Sequence, residues 1–182
     1  MEKRVLILTG RPGVGKTTVL AKTVSNLRGR NVSVGGMFSR EVRENGFRVG
    51  FEIVDLSTAK VGCLAHVDQK DGPQLGKYRV NLTDLEAIGA QAINSAIESC
   101  DVVVIDEIGP MELFSSKFKK VAETALNSNK LIIAVVHEKA QDKLVTEAKS
   151  RNDAEVLTVT TENREDLSNV LEGRVMAFLR KR

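Results

Sequence analysis

Eight residues near the start of the chain could do chemistry on a phosphate: Gly10-Arg11-Pro12-Gly13-Val14-Gly15-Lys16-Thr17. They fit the pattern G-x-x-x-x-G-K-[ST], which needs a strand before it and a helix after it. Glycine lets successive backbone N–H groups turn inward around phosphate oxygens. The N-terminus of the helix that follows adds partial positive charge at the same point. Lys16 can reach the outer phosphate oxygens of a nucleotide, and the Thr17 hydroxyl can bind Mg²⁺. The plain alternative is a glycine turn without function, but the full pattern and both flanking elements argue against it.

A second constellation is Val102-Val103-Val104-Ile105-Asp106-Glu107. Four apolar residues predict a buried strand, and Asp106 leaves it at the carboxyl end, where a carboxylate can hold Mg²⁺ beside a phosphate loop. Glu107 is placed to polarise an attacking water as general base. Two adjacent acids can also be a solvated strand end; the phosphate loop decides between the readings. Asp106-Glu107-Ile108-Gly109 also satisfies D-x-x-G, a pattern of GTP switches, yet no guanine-reading N-K-x-D accompanies it. Asn127-Ser128-Asn129-Lys130 lacks the aspartate, so base selection is expected to be loose.

Weaker candidates are arginines that could touch phosphate or base: Arg11 in the loop, Arg40, Arg43 and Arg48 in an alternating segment, and Arg164 after the last strand. A solvated arginine is the bland alternative for each. Arg164 stands out because it follows the strand where folds of this kind pack the base. Glu112 is either a further acid near the terminal phosphate or a helix N-terminal charge. His66 and His137 stand alone, without metal-ligand spacing. Cys63 and Cys100 lie far apart among apolar residues and read as small buried thiols.

The elements that must position these groups follow from periodicity. Val5 to Thr9 is an unbroken apolar run, as expected of a strand buried on both faces. Val19, Leu20, Thr23, Val24 and Leu27 recur at helical spacing up to Gly29. Val32 to Phe38 reads as a strand, and Ser39 to Ala65 alternates like an antiparallel hairpin or meander, with a turn at Asn45-Gly46. His66 to Arg79 reads as a polar loop. Leu82-Thr83-Asp84-Leu85-Glu86 carries a capping box that opens a helix. Asp101 to Asp106 and Leu131 to Val136 are buried strands, with a helix between them through Phe118 and Ala122. A helix around Gln141 to Ala148, a strand from Val156 to Val159 and a last helix capped by Asn163 complete the chain. Alternating strands and helices predict an α/β fold, a mostly parallel sheet with helices on both faces plus an added antiparallel hairpin, in one domain over residues 1–182.

Bulk properties agree. The 182 residues are 42% hydrophobic and 28% charged, with a formal charge of +3. That suits one packed domain. The small positive excess and 4% aromatic content give no stacking platform or basic stripe, so nucleic acid is not an expected partner. Glu2-Lys3-Arg4 leads directly into a short strand rather than a signal peptide, and no apolar run approaches the ~20 residues that span a bilayer. A cytoplasmic, monomeric protein is expected, fraying only at Arg180, Lys181 and Arg182.

GRPGVGKT, SREVRENGFRVGFEIVDL, VVVIDEIGPMEL, IIAVVH and TVTTENR occur in this order along nearly the whole chain. In this the sequence resembles the thermophile-type nucleoside-triphosphatase family, which includes the human cancer-related nucleoside-triphosphatase. The resemblance implies a RecA-like P-loop fold that slowly hydrolyses several nucleoside triphosphates with Mg²⁺. It also implies that Gly10 through Thr17 and Val102 through Gly109 contact the nucleotide. The expected activity is therefore Mg²⁺-dependent hydrolysis of ATP, GTP, CTP, UTP and TTP, with Lys16 and Glu107 catalytic, Thr17 and Asp106 on the metal, and Arg164 at base or phosphate. The rivals are a nucleotide or small-molecule kinase and a nucleotide-gated binding module.

Overall fold

The computed structural model describes residues 3–181. Glu2 and Arg182, which figured in the leader and fraying expectations, lie outside them. Arg180 and Lys181 continue the end of the last helix through backbone bonds to Met176 and Phe178.

The first strand, β1 (Val5–Thr9), is fully buried along its apolar residues and passes through the glycine loop into α1 (Lys16–Gly29). β2 (Val34–Glu44) then turns back on β3 (Phe47–Asp55) at Asn45-Gly46, where both residues have positive φ, and β4 (Val61–His66) follows. The span expected to be a polar loop contains two short strands, β5 (Gln74–Leu75) and β6 (Tyr78–Val80). They are too short to show alternation, but Tyr78 and Val80 are buried, and burial fixes them.

The next helix also starts differently. Asn81, not Thr83, caps α2 (Leu82–Asp84): its side chain accepts from the Asp84 amide. Glu86, expected to close a capping box, instead accepts from the Ser115 hydroxyl of a neighbouring helix start. A π-helical turn (Leu85–Ala90) leads into α3 (Gln91–Ser99). Then come β7 (Val102–Ile108), a 3₁₀ turn (Glu112–Phe114), α4 (Ser116–Asn127), β8 (Leu131–Val136), α5 (Lys143–Ser150), β9 (Ala154–Thr158) and α6 (Arg164–Leu179). Asn163 does not cap α6 with its side chain. It accepts from the Thr160 amide and donates to the Thr158 carbonyl, pinning the loop between β9 and α6.

Among the described residues the nine strands form one sheet in the order β5-β6-β4-β3-β2-β7-β8-β1-β9. From β2 to β9 every pairing is parallel; from β2 outward to β5 every pairing is antiparallel. β2 belongs to both parts, so the added hairpin is the first half of a longer antiparallel extension. One core layer joins the sheet to the helices between β6 and β9 through residues such as Ile93, Phe118 and Val145. The other joins it to α1 and α6 through Leu20, Val24, Leu171 and Val175. No helix of the described residues is long and apolar enough to cross a membrane.

Candidate functional site

The site lies at the carboxyl edge of the parallel strands, where β1 and β7 end. Gly10 sits at φ 139° against the chain after β9: a Cβ there would come within 2.7 Å of the Val159 carbonyl oxygen. Only glycine lets the loop leave the sheet so close to that backbone. Gly15, at φ 111°, occupies the start of α1, and no side chain caps that helix end. The first amides of α1 are thus presented as anion donors.

Lys16 donates to the carbonyls of Gly10 (2.8 Å) and Arg11 (3.0 Å), so its ammonium lies across the loop mouth. The Thr17 hydroxyl donates to Asp106 Oδ1 at 3.4 Å. On its other side Asp106 accepts from the Ser39 amide and hydroxyl, both at 3.4 Å. Ser39 was not singled out from sequence. It reaches Asp106 because β2 pairs with β7 only as far as Met37 opposite Ile105, and beyond that point β2 follows β3. Nothing in a serine within an alternating strand signals that proximity.

Asp106 is 1% exposed, and burial pushes its carboxyl up to about 7 against the opposing pull of Ser39 and Thr17. Burial likewise raises Glu107, while the charges of Lys16 and His137 pull it back. The Glu107 side chain folds over Gly109, where an added Cβ would meet its Cδ at 3.2 Å. The glycine of the D-x-x-G pattern therefore makes room for the neighbouring glutamate. Glu112 is buried at the start of the 3₁₀ turn, pushed up to about 8 by burial and by the nearby Glu107. It is a third acid of this cluster rather than a solvated helix charge.

Val102, Val103, Val104, Ile105 and Ile108 are fully buried, their side chains divided between the two core layers. They fix the strand that delivers Asp106 and Glu107. Arg164 lies against the loop: its Nη1 donates to the Val14 carbonyl at 3.4 Å, and its Cδ is 3.5 Å from where a Gly15 Cβ would stand. Arg11 is exposed beside Pro12. The hairpin arginines are engaged elsewhere: Arg40 with Glu52, Arg43 with Glu41, and Arg48 with Glu41 and Tyr78 while it stacks over the Phe51 and Tyr78 rings. Asn127 to Lys130 lies at the opposite edge of the sheet, where Lys130 donates to the Cys100 carbonyl. His66 stays apart from the site, its Nδ1 accepting from the Asp68 amide. Of the two free thiols, Cys100 is buried and Cys63 half-buried.

A family model described as NTPase matches residues 5–171. The chain belongs to this NTPase family. A curated relative from Methanosarcina acetivorans, nucleoside-triphosphatase THEP1, is 48% identical over 177 residues, covering 97% of each chain. The crystal structure of THEP1 from Aquifex aeolicus superposes with a TM-score of 0.82 at 29% identity, covering 92% of this chain and 96% of that one. The solution structure of a human cancer-related nucleoside triphosphatase gives 0.80 at 34% identity, covering 96% and 98%. The family and fold expected from the sequence are borne out.

Proposed function

We propose that this chain, acting as a single domain, hydrolyses nucleoside triphosphates to diphosphate and phosphate with Mg²⁺ and little base selection. The observation that carries the reading is the meeting of Thr17 with Asp106 at 3.4 Å, beside a loop whose lysine lies across its mouth. Membership of the NTPase family supports it.

The residues present fit a divalent cation. The Thr17 hydroxyl and Asp106 carboxylate are hard oxygen donors. The buried carboxyl of Asp106 has only partial compensation from hydroxyl and amide groups at 3.4 Å, so a cation there would favour its charged form. Among the described residues no group of three or more His, Cys, Asp or Glu side chains could enclose a metal. That suits Mg²⁺, which usually keeps several waters and takes phosphate oxygens. When bound, the ion would neutralise part of the negative charge of the phosphates.

The chain's own residues do the rest. Loop amides and the α1 start hold the phosphates. Lys16 exchanges its loop carbonyls for outer phosphate oxygens and stabilises the charge that grows as the terminal phosphoryl group leaves. Glu107 accepts a proton from the attacking water and orients it. Arg164, packed on Val14 and Gly15, is positioned for the base or an inner phosphate. The Asn127–Lys130 segment cannot read a base from the opposite sheet edge, hence the loose selection. The two free thiols suit a reducing, cytoplasmic setting.

The test is phosphate release from ATP, GTP, CTP, UTP and TTP, with Mg²⁺ and with chelator. Expected are Mg²⁺-dependent release and kcat/KM values within roughly tenfold of one another, about 1.4 kcal/mol. A thousandfold preference would overturn the loose-selection reading, and release in chelator the metal reading.

A further inference from the structure

Glu112 is 5% exposed, and its carboxyl is buried without a cation beside it. The groups that act on it are the acids Glu107 and Asp106 and the amides of Gly109 and of Glu112 itself. A buried carboxyl next to two others is costly, and a neutral side chain of the same length would avoid the cost. Its place is therefore not explained by packing alone.

The backbone around Gly109 shows what the carboxyl does. The pairing of β7 with β8 is regular up to Asp106 and resumes at Ile108, so Glu107 falls at the irregularity between them. A residue at such a point is not aimed by the strand ladder. Its side chain rests instead on Gly109, where an added Cβ would stand 3.2 Å from Glu107 Cδ and 3.3 Å from Oε1. Gly109 is held from both sides by the turn that follows. Its carbonyl accepts from the Leu113 amide at 3.0 Å, and its own amide donates to the Glu112 carboxyl. The turn is fixed in its turn by α4: the Ser115 amide donates to the Glu112 carbonyl at 3.1 Å, and the Ser115 hydroxyl caps that helix at Phe118.

We propose that Glu112 is a positioning residue for hydrolysis, whose side-chain oxygen holds the Gly109 amide and so fixes the surface against which Glu107 is aimed. The inference rests on the hydrolase reading for the part played by Glu107. It assigns the third acid no contact with nucleotide, metal or water; it acts through Glu107 alone. What it needs is an acceptor oxygen at that point, not a charge.

Two variants separate these requirements. Glu112→Gln keeps an acceptor oxygen, and kcat should stay within about threefold of wild type. Glu112→Leu removes it at similar size, and kcat should fall about tenfold, the scale of a slightly misplaced catalytic group, while affinity for a non-hydrolysable triphosphate with Mg²⁺ stays within about twofold. In a Glu107→Gln background the leucine substitution should cost less than a further twofold, because nothing remains to be aimed. Hydrogen exchange of the Gly109 amide in nucleotide-free protein reads the bond without turnover: it should be at least tenfold faster in the leucine variant and close to wild type in the glutamine variant. If the leucine variant fails to fold, Glu112→Met carries the same comparisons. Wild-type kcat in the variant lacking the oxygen, a glutamine variant as slow as the leucine one, or a full tenfold loss on top of Glu107→Gln overturns the assignment. A Glu107→Gln variant that hydrolyses at the wild-type rate would instead overturn the general-base reading, and exchange at Gly109 would still decide whether Glu112 holds the turn.

Discussion

The two halves of the sheet are built on different principles. From β2 to β9 the strands are parallel, and the central three, β1, β7 and β8, are almost wholly apolar and buried on both faces, with Thr9-Gly10 and Asp106-Glu107 at the carboxyl ends of β1 and β7. From β3 outward to β5 the strands are antiparallel. One face packs through Ile53, Leu64 and Val80 on the π-helical turn, and the other carries ion pairs such as Arg40–Glu52. A parallel sheet must be covered on both sides, so its functional groups are confined to one edge. An antiparallel sheet can leave a face in water, and cross-strand pairs then do the local stabilising. Of the extension's side chains, the contact with the chemistry is Ser39, at the point where β2 passes from one half to the other.

If that division holds, substitutions in the parallel edge should change turnover and those in the extension should change stability. The largest effect is expected from Lys16→Ala. Loss of a preorganised cation at a phosphoryl centre costs roughly 10²–10³ in rate, and kcat should fall by that much with an unchanged melting curve. Wild-type turnover in the folded variant would show that the Lys16 ammonium does not act on the phosphoryl group.

A smaller effect concerns the buried acids. In the folded chain Asp106 is held up to about 7 and Glu112 to about 8, from ordinary values of 3.8 and 4.5. A carboxyl raised in this way binds its proton more tightly folded than unfolded. Its contribution to stability is full below the unfolded value and is lost as pH rises through the folded one. The stability of metal-free protein should therefore fall between about pH 4.5 and pH 8. Asp142, held low by its hydrogen bond from Lys119, works in the opposite sense but only below its ordinary value of 3.8. Glu112→Gln should raise the metal-free Tm at pH 8.5 by roughly 5 °C and leave it unchanged at pH 4. A Tm that drops at both pH values would show that Glu112 serves packing instead.

The smallest effect is expected in the extension. Arg48→Ala removes contacts with Phe51, Tyr78 and Glu41 at a partly exposed position. About 1 kcal/mol, or a Tm lower by about 3 °C, is the expected cost, with kcat within about twofold of wild type. A large loss of turnover would mean that the extension takes part in the chemistry.

The same division explains what could be read from sequence. β1, β7 and β8 announce themselves as unbroken apolar runs, and the loop residues are diagnostic because phosphate binding requires backbone geometry that few residues allow. β5 and β6 were missed because two- and three-residue strands carry no period, and Tyr78 is placed by tertiary contact. Asn81 displaced Thr83 as a cap, and Asn163 serves its loop rather than α6; side chains that can bond several nearby backbone groups do not choose among them in sequence. Ser39 matters only through which strands become neighbours, β2 beside β7. Asp106 and Glu107, by contrast, could be placed because the strand leading to them is so strongly patterned.

The parallel edge binds triphosphate with one set of groups and activates water with another, Glu107. Glu107→Gln keeps the size and hydrogen-bonding reach of the side chain while removing its basicity. Measured side by side, Mg²⁺–triphosphate affinity should stay within about threefold of wild type while kcat for phosphate release falls by ~10²-fold or more, the range of a positioned general base. Hydrolysis at the wild-type rate in that variant would show that Glu107 does not activate the water.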